Sequence, residues 1–269
     1  MTESTNPYQP PEGDIQPPQP AGNADDLLAS PRTVGAARGA SWVSEAWPLF
    51  SGGIGIWIGM TLIAGLISMA LSMVPLLGIA AGLLMPFFMA GWAVGCERMR
   101  VDGEVRFEDL FAGFSEHFAP LAIAGVIYLA ANLVAMLIAG GLMAITIGGA
   151  FALGGMGADA QSAVLETGFI IGILLGSLVT LAISIPVIML IWFAPTLIVL
   201  NNVAPVDALK MSFMGCLKNI LPFLLYGVVT LAMVIGGMLA LLIGLLFVIP
   251  WIACSNYSAY RDIYVGDPA

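Results

Sequence analysis

Charge is what this sequence has least of. Lys, Arg, Asp and Glu make up 9% of its 269 residues against 59% hydrophobic, and the mean hydropathy is +0.98. A soluble domain carries roughly 25% charged residues, so the composition excludes a fold that meets water over its whole surface. Eight basic residues scattered among 17 acidic ones, for a net charge of −9, make no phosphate-binding face. Nucleic acid is therefore not an expected partner. Histidine occurs once, as His117, and no glycine loop leads into Lys-Ser or Lys-Thr to cradle a phosphate. The three cysteines, Cys96, Cys216 and Cys254, are an odd number without C-x-x-C spacing. They read as small packing residues, with no metal or other cofactor implied.

What is present is apolar sequence in long runs. Four blocks contain no Asp, Glu, Lys or Arg: Ser51–Cys96, Phe118–Ala158, Thr167–Val206 and Asn219–Tyr260. Each is 40 to 46 residues long, and a helix needs about 20 to cross a bilayer. Only helices or closed barrels satisfy the backbone in lipid. The unbroken runs lack the alternation of a barrel strand. An all-α polytopic membrane bundle is the expected fold class.

Residues Met1 to Arg38 differ from the rest. They hold seven of the 17 prolines, one aromatic residue (Tyr8), and no Lys or Arg before Arg32. Such a stretch cannot bury enough apolar surface to fold, so 1–38 is expected to be a disordered, proline-rich tail and 39–265 the membrane domain. It lacks the basic and apolar regions of a signal peptide.

Orientation follows from the bases. Arg32 and Arg38 precede the first block, and Arg98, Arg100 and Arg106 follow it. Lys210 and Lys218 separate the last two blocks, Arg261 closes the fourth, and the Asp159–Glu166 connection has none. The positive-inside rule then predicts two spans in the first block, one in each middle block and two in the last. That is six spans with both termini cytoplasmic. Eight spans would also keep both ends inside, but would put the base-free connection in the cytoplasm.

Aligning Gly59, Gly125 and Gly227 brings three stretches into register. Each reads as an interfacial amphipathic helix, a first span, and a second span broken by proline: Pro86, Pro195 (with Pro186) and Pro250. Glycine to proline spans 27, 70 and 23 residues. The middle unit thus carries an insertion, including Gly140 to Gly157, that predicts extracytoplasmic structure or a prolonged third helix. Two interfacial helices have apolar stripes at helical spacing. One is Phe107, Leu110, Phe111, Phe114 and Phe118, with Glu108, Asp109 and Glu116 off the stripe. The other is Val206, Leu209, Phe213, Leu217 and Ile220, opposed by Asp207, Lys210 and Lys218. Both are expected to act as elbows that set the angle of the next span.

Chemistry is sparse. No residue inside the blocks is ionised at neutral pH, whereas ion-coupled transporters keep such a group near the midplane. Asn132, roughly 20 Å along its helix from Phe118, is the deepest asparagine and is expected to hydrogen-bond between helices. The proline-broken helices can be read as transporter hinges or as ordinary packing. His117 has only Glu116 and Asp109 near it in sequence, so a surface histidine is the expectation and an enzyme is not.

Certain stretches resemble a known group: Trp192-Phe193-Ala194-Pro195, Ala208 to Phe213 continuing through Lys218-Asn219, Leu110 to Phe114, and Tyr260-Arg261-Asp262-Ile263-Tyr264. They look like an uncharacterised family of bacterial multi-pass inner-membrane proteins, similar in layout to the membrane domain of glycerophosphodiester phosphodiesterases. The resemblance covers about Val34 to Val265 and implies a Gram-negative inner membrane and no particular activity. It adds Trp192 and Asn219 to Asn132, Pro86, Pro195 and Pro250 as candidate functional or packing positions. The expected function is a non-enzymatic lipid-binding or scaffold protein; the alternative is a permease or channel for a neutral or amphipathic solute. Membrane lipids are the expected partners, with other inner-membrane proteins second.

Overall fold

A computed structural model describes residues 27–115, 117–152 and 158–266. The tail as far as residue 26 and Glu116 lie outside the described residues. Among the described residues there is no β-strand. Two short helices, α1 (Arg38–Glu45) and α2 (Trp47–Ser51), lead into α3 (Ile54–Ser72). The chain turns at Met73-Val74 into α4 (Pro75–Asp102). Pro75 occupies the first turn, where its missing N–H is harmless, and Val74 before it is extended. Pro86 sits inside α4 without ending it. The helix runs past the charge-free block and stops at Gly103, whose φ of +74° is free only to glycine.

A 3-10 helix (Phe107–Phe114) follows, then α5 (Phe118–Ala152) and α6 (Ala158–Ile191). The glycine-rich stretch from Gly140 is helical as far as Ala152, so α5 is a prolonged helix of 35 residues, about 50 Å long. The remainder of that stretch, 153–157, lies outside the described residues. After Trp192-Phe193 comes α7 (Ala194–Asn201), with Pro195 buried in its first turn. Then follow α8 (Pro205–Lys218), α9 (Ile220–Leu239), α10 (Leu245–Tyr260) and a π-helical turn (Arg261–Val265). Pro250 is buried inside α10. Among the described residues, four stretches are long and apolar enough to cross a membrane: Ile54–Ser72, Phe118–Ile145, Gly168–Asn201 and Ile220–Leu239.

The long helices pair as three hairpins, α3–α4, α5–α6 and α9–α10, each entered through a short element at one end of the bundle, its base. The entry elements do not sit on their own hairpins. α1 packs against α9 and α10, the 3-10 helix against α4 and α3, and α8 against α6, α7 and α5. Each entry element thus rests on the hairpin preceding it around a ring. The contacts are close: a Cβ added to Gly39 of α1 would overlap the carbonyl oxygen of Pro222, and one on Gly91 of α4 would overlap that of Leu110.

Two expectations change. The Phe107–Phe118 helix is an eight-residue 3-10 helix ending at Phe114, and Phe118 opens α5 instead. Its Leu110 and Asp109 are both buried, so Asp109 is not on a solvated face. In α8 the buried face is Ala208, Leu209, Ser212, Gly215 and Cys216, and Val206 and Leu217 of the stripe point outward, as an interfacial face does. Close helix contact requires small residues, and α8 turns those inward. The tail boundary moves too. From Leu27 the chain lies on the base: Leu28 N–H bonds Tyr264 O at 2.8 Å, Arg32 N–H bonds Ile263 O at 2.9 Å, and Lys218 Nζ donates to Pro31 O at 3.0 Å.

Candidate ligand-binding cavity

Where the three hairpins meet, above the base, they enclose a partly open cavity of about 320 Å³. The volume lies at the low end of the range for small-molecule sites. Every hairpin contributes to its wall. α4 supplies Pro86 and Trp92, α5 supplies Tyr128, and the α6–α7 break supplies Ile191, Trp192 and Thr196. Tyr226 comes from α9, and Ile252, Asn256 and Tyr257 from α10. The surface is overwhelmingly apolar.

The polar atoms of the wall fall into two groups. The Tyr226 hydroxyl is 2.7 Å from Ser255 Oγ, and the Tyr257 hydroxyl donates to Glu97. The indole Nε1 atoms of Trp92 and Trp192 and the Oδ1 of Asn256 are buried without a hydrogen-bond partner in the protein. Such a group costs roughly 1–3 kcal/mol when left unpaired. The three residues that carry them all line the cavity.

Below the cavity the base is ionic. Glu97, one residue past the first charge-free block, is buried on α4. Its carboxylate accepts from Arg100 Nη2 at 2.6 Å as well as from Tyr257, with Arg261 Nη1 3.9 Å away. Asp109 accepts from Arg98 Nε and from the Arg106 backbone N–H, both at 2.9 Å. Burial nevertheless raises its pKa above the usual carboxylate value, outweighing those two donors. Asp262 is the anchor of the N-terminal segment. Trp42 Nε1 donates to it at 2.8 Å and Arg38 Nε at 2.6 Å, and Arg32 pairs with it as well. Burial alone would push this carboxyl up, but the donations from Trp42, Arg38 and Arg32 hold it below its ordinary value. Cys96 and Cys254 sit between α4 and α10 as buried thiols with Sγ atoms 3.6 Å apart, a contact and not a bond.

Comparison with known proteins supplies one anchor. A protein of Burkholderia thailandensis named a probable inner membrane protein is 27% identical over 264 residues, covering 86% of this chain and 92% of the relative. The chain matches no family model and no solved structure. With the relative and the apolar helices together, the class is plain. This is an integral membrane protein.

The candidate residues named from sequence divide. Pro86 and Trp192 line the cavity, and Pro195 and Pro250 are buried in the helices around it. Asn132 is elsewhere. Its Nδ2 donates to Tyr128 O of its own helix at 2.9 Å, not across helices. Asn219 is fully buried at the base, where it binds the N-terminal segment: Nδ2 donates to Arg32 O and Gly215 O, and Oδ1 accepts from Val34 N–H at 2.8 Å. His117 is half-buried beside Asn202, with Nε2 2.9 Å from Oδ1. Sequence reasoning missed Trp92, Tyr226, Asn256, Tyr257 and Glu97. The available signal was the pairing of two distant segments, Cys96-Glu97-x-x-Arg100 and Tyr257-x-x-Tyr260-Arg261, each at the end of a charge-free block.

Proposed function

We propose that this chain is a non-enzymatic inner-membrane protein that holds the apolar part of a lipid in the cavity. It would cross the membrane six times, with both ends in the cytoplasm. The observation that carries the reading is the apolar cavity to which all three hairpins contribute. An apolar interior in a membrane protein favours acyl chains over water-soluble ligands. The inner membrane is carried over from the name of the Burkholderia relative.

Topology has its own support. All eight Lys and Arg lie on the elements of the base, which is the side that the positive-inside rule assigns to the cytoplasm. Six long helices in three hairpins return the chain to that base each time. The ring in which each entry element rests on the preceding hairpin is what a triplicated unit would build, and it supports the repeat read from Gly59, Gly125 and Gly227.

Extraction in native nanodiscs, followed by mass spectrometry of lipids and proteins, tests the function. An unrelated membrane protein and an Ala93→Phe variant, which fills the cavity from α4, serve as controls. The lipid-binding reading expects one lipid class enriched in the wild type and lost in the variant. A stoichiometric protein partner retained in both would favour the scaffold reading. The break at Trp192-Phe193 beside the cavity gives the permease reading its own footing. Solute flux in liposomes without lipid enrichment would replace lipid binding with transport.

A further inference from the structure

We infer that the cavity is filled methyl end first, by an acyl chain of a phospholipid in the leaflet opposite the base. The inference rests on the lipid-binding reading above, and adds where the chain comes from and which end lies deepest. It follows from how burial changes along the wall. Three segments that run toward the base line the cavity, and each becomes buried in that direction. On α4 Met85 is 51% exposed and Ala93 5%. On α6 Ile188 is 41% exposed, and Thr196 just past it in α7 is 3% exposed. On α10 the same step runs from Ile249 at 39% to Tyr257 at 2%. The mouth therefore lies on the side away from the base, and the floor toward it.

Helix rise sets the depth of both. Met85 precedes Glu97 by 12 residues, and Ile249 precedes Arg261 by 12. At the standard rise that is roughly 18 Å. Ala93 and Tyr257 precede the same two residues by four, or roughly 6 Å. With the ionic base at one boundary of a hydrocarbon core about 30 Å thick, the mouth opens near the midplane. The floor lies within the leaflet on the base side. Toward the base the way is taken up by buried side chains, with Tyr257 bonded to Glu97 and Tyr226 paired with Ser255.

What reaches the midplane of a bilayer is the ends of its chains. A chain from the leaflet opposite the base arrives pointing at the mouth and enters by continuing straight. One from the base-side leaflet arrives pointing away and would have to fold back on itself. A headgroup would have to leave water and cross half of the membrane, at the cost of its desolvation. An empty cavity forfeits the dispersion contacts of its walls, and an apolar wall gives water few partners.

Photocrosslinking locates each end of the lipid. The full chain in liposomes is irradiated with phosphatidylcholine carrying a diazirine at the chain terminus, beside the ester or on the headgroup, and labelled peptides are mapped by mass spectrometry. Cyclodextrin exchange confines the probe to the outer leaflet. External trypsin, cutting at exposed Lys210, marks the molecules whose base faces outward. The terminal probe is expected to label the helices around Ala93 and Tyr257 in uncut molecules and not in cut ones. The other two probes should leave those segments unlabelled. Ala93→Phe, which fills the floor from α4, should abolish the terminal label. Ile252→Trp, which fills it from α10, carries that test if the first variant loses helix content by circular dichroism. Ester or headgroup label at the floor, or equal terminal label in cut and uncut molecules, overturns the inference and leaves lipid binding standing. A terminal label that survives in a folded variant overturns it too. If no probe labels the cavity, the lipid-binding reading falls, and this inference with it.

Discussion

The base of the bundle and the far halves of its hairpins are built from the same apolar alphabet and obey different rules. At the base, Trp42, Trp57, Phe50, Phe193 and Tyr264 are buried almost completely, and the carboxylates of Glu97, Asp109 and Asp262 are each held by arginine. In the far halves Leu137, Leu178, Leu239 and Leu241 point outward, and Gly65, Gly140 and Gly141 face open space. Lipid tails are as apolar as leucine, so burying leucine between spans gains little. Specificity has to come from shape, aromatic contact and paired polar groups, and the sequence gathers these at one end. The cavity lies where the two regimes meet, with engaged polar groups below it and unpartnered ones in its wall.

The largest test of this contrast removes the anchor of the base. Asp262→Ala leaves Arg32, Arg38 and Trp42 Nε1 without their shared acceptor, and losing hydrogen bonds to a buried charged group in this way costs about 1.5–3 kcal/mol. Unfolding by denaturing detergent should shift by that amount, and limited trypsin digestion should open at Arg32 and Arg38. An unchanged digest would show that the N-terminal segment holds without the anchor. A smaller effect comes from shape alone. Gly91→Val forces a side chain into the Leu110 backbone and should cost about 1–3 kcal/mol, whereas Gly140→Val, with no atom near its added carbons, should change stability by less than about 0.5 kcal/mol. Equal costs at the two glycines would erase the distinction between base and far half.

The smallest effect is a pH limb. Asp262 is held below its unfolded pKa of about 3.9, so its stabilisation is complete above that value and is lost as pH falls through the lower folded one. Asp109 is shifted the other way by burial, so its share grows as pH falls toward the unfolded value. Asp262→Asn should flatten the loss of stability below about pH 4, while Asp109→Asn should leave that loss in place. Unfolding midpoints across this range would separate the two carboxylates.

Sequence carried the helical class and the blocks, because lipid imposes long uncharged runs and those are legible one residue at a time; the connection it placed at Asp159–Glu166 lies instead within α6. It could not carry the cavity. Trp92, Tyr128, Trp192, Tyr226 and Asn256 come from five separated segments, and each alone reads as packing. The search for ionised residues inside charge-free blocks stopped at Cys96 by definition, but α4 does not stop there and brings Glu97 into the interior. Composition likewise placed residues 27–38 in the tail, since nothing in their makeup announces that Ile263 and Tyr264 supply the carbonyls they bond. The interfacial elements were legible as apolar stripes, but which hairpin each sits on depends on the ring, which no local pattern encodes.

That ring sets an order on synthesis. α1 leaves the ribosome first, yet its seat on α9, α10 and Asp262 is made last; Trp42 and Asp262 are 220 residues apart. The 3-10 helix and α8 find their hairpins already made, so two joints can form while the chain is growing. The third joins the beginning to the end. A nascent chain halted before Asp262 keeps an open ring with Arg32 and Arg38 unanchored, so closure of this one joint reports that synthesis has passed α10.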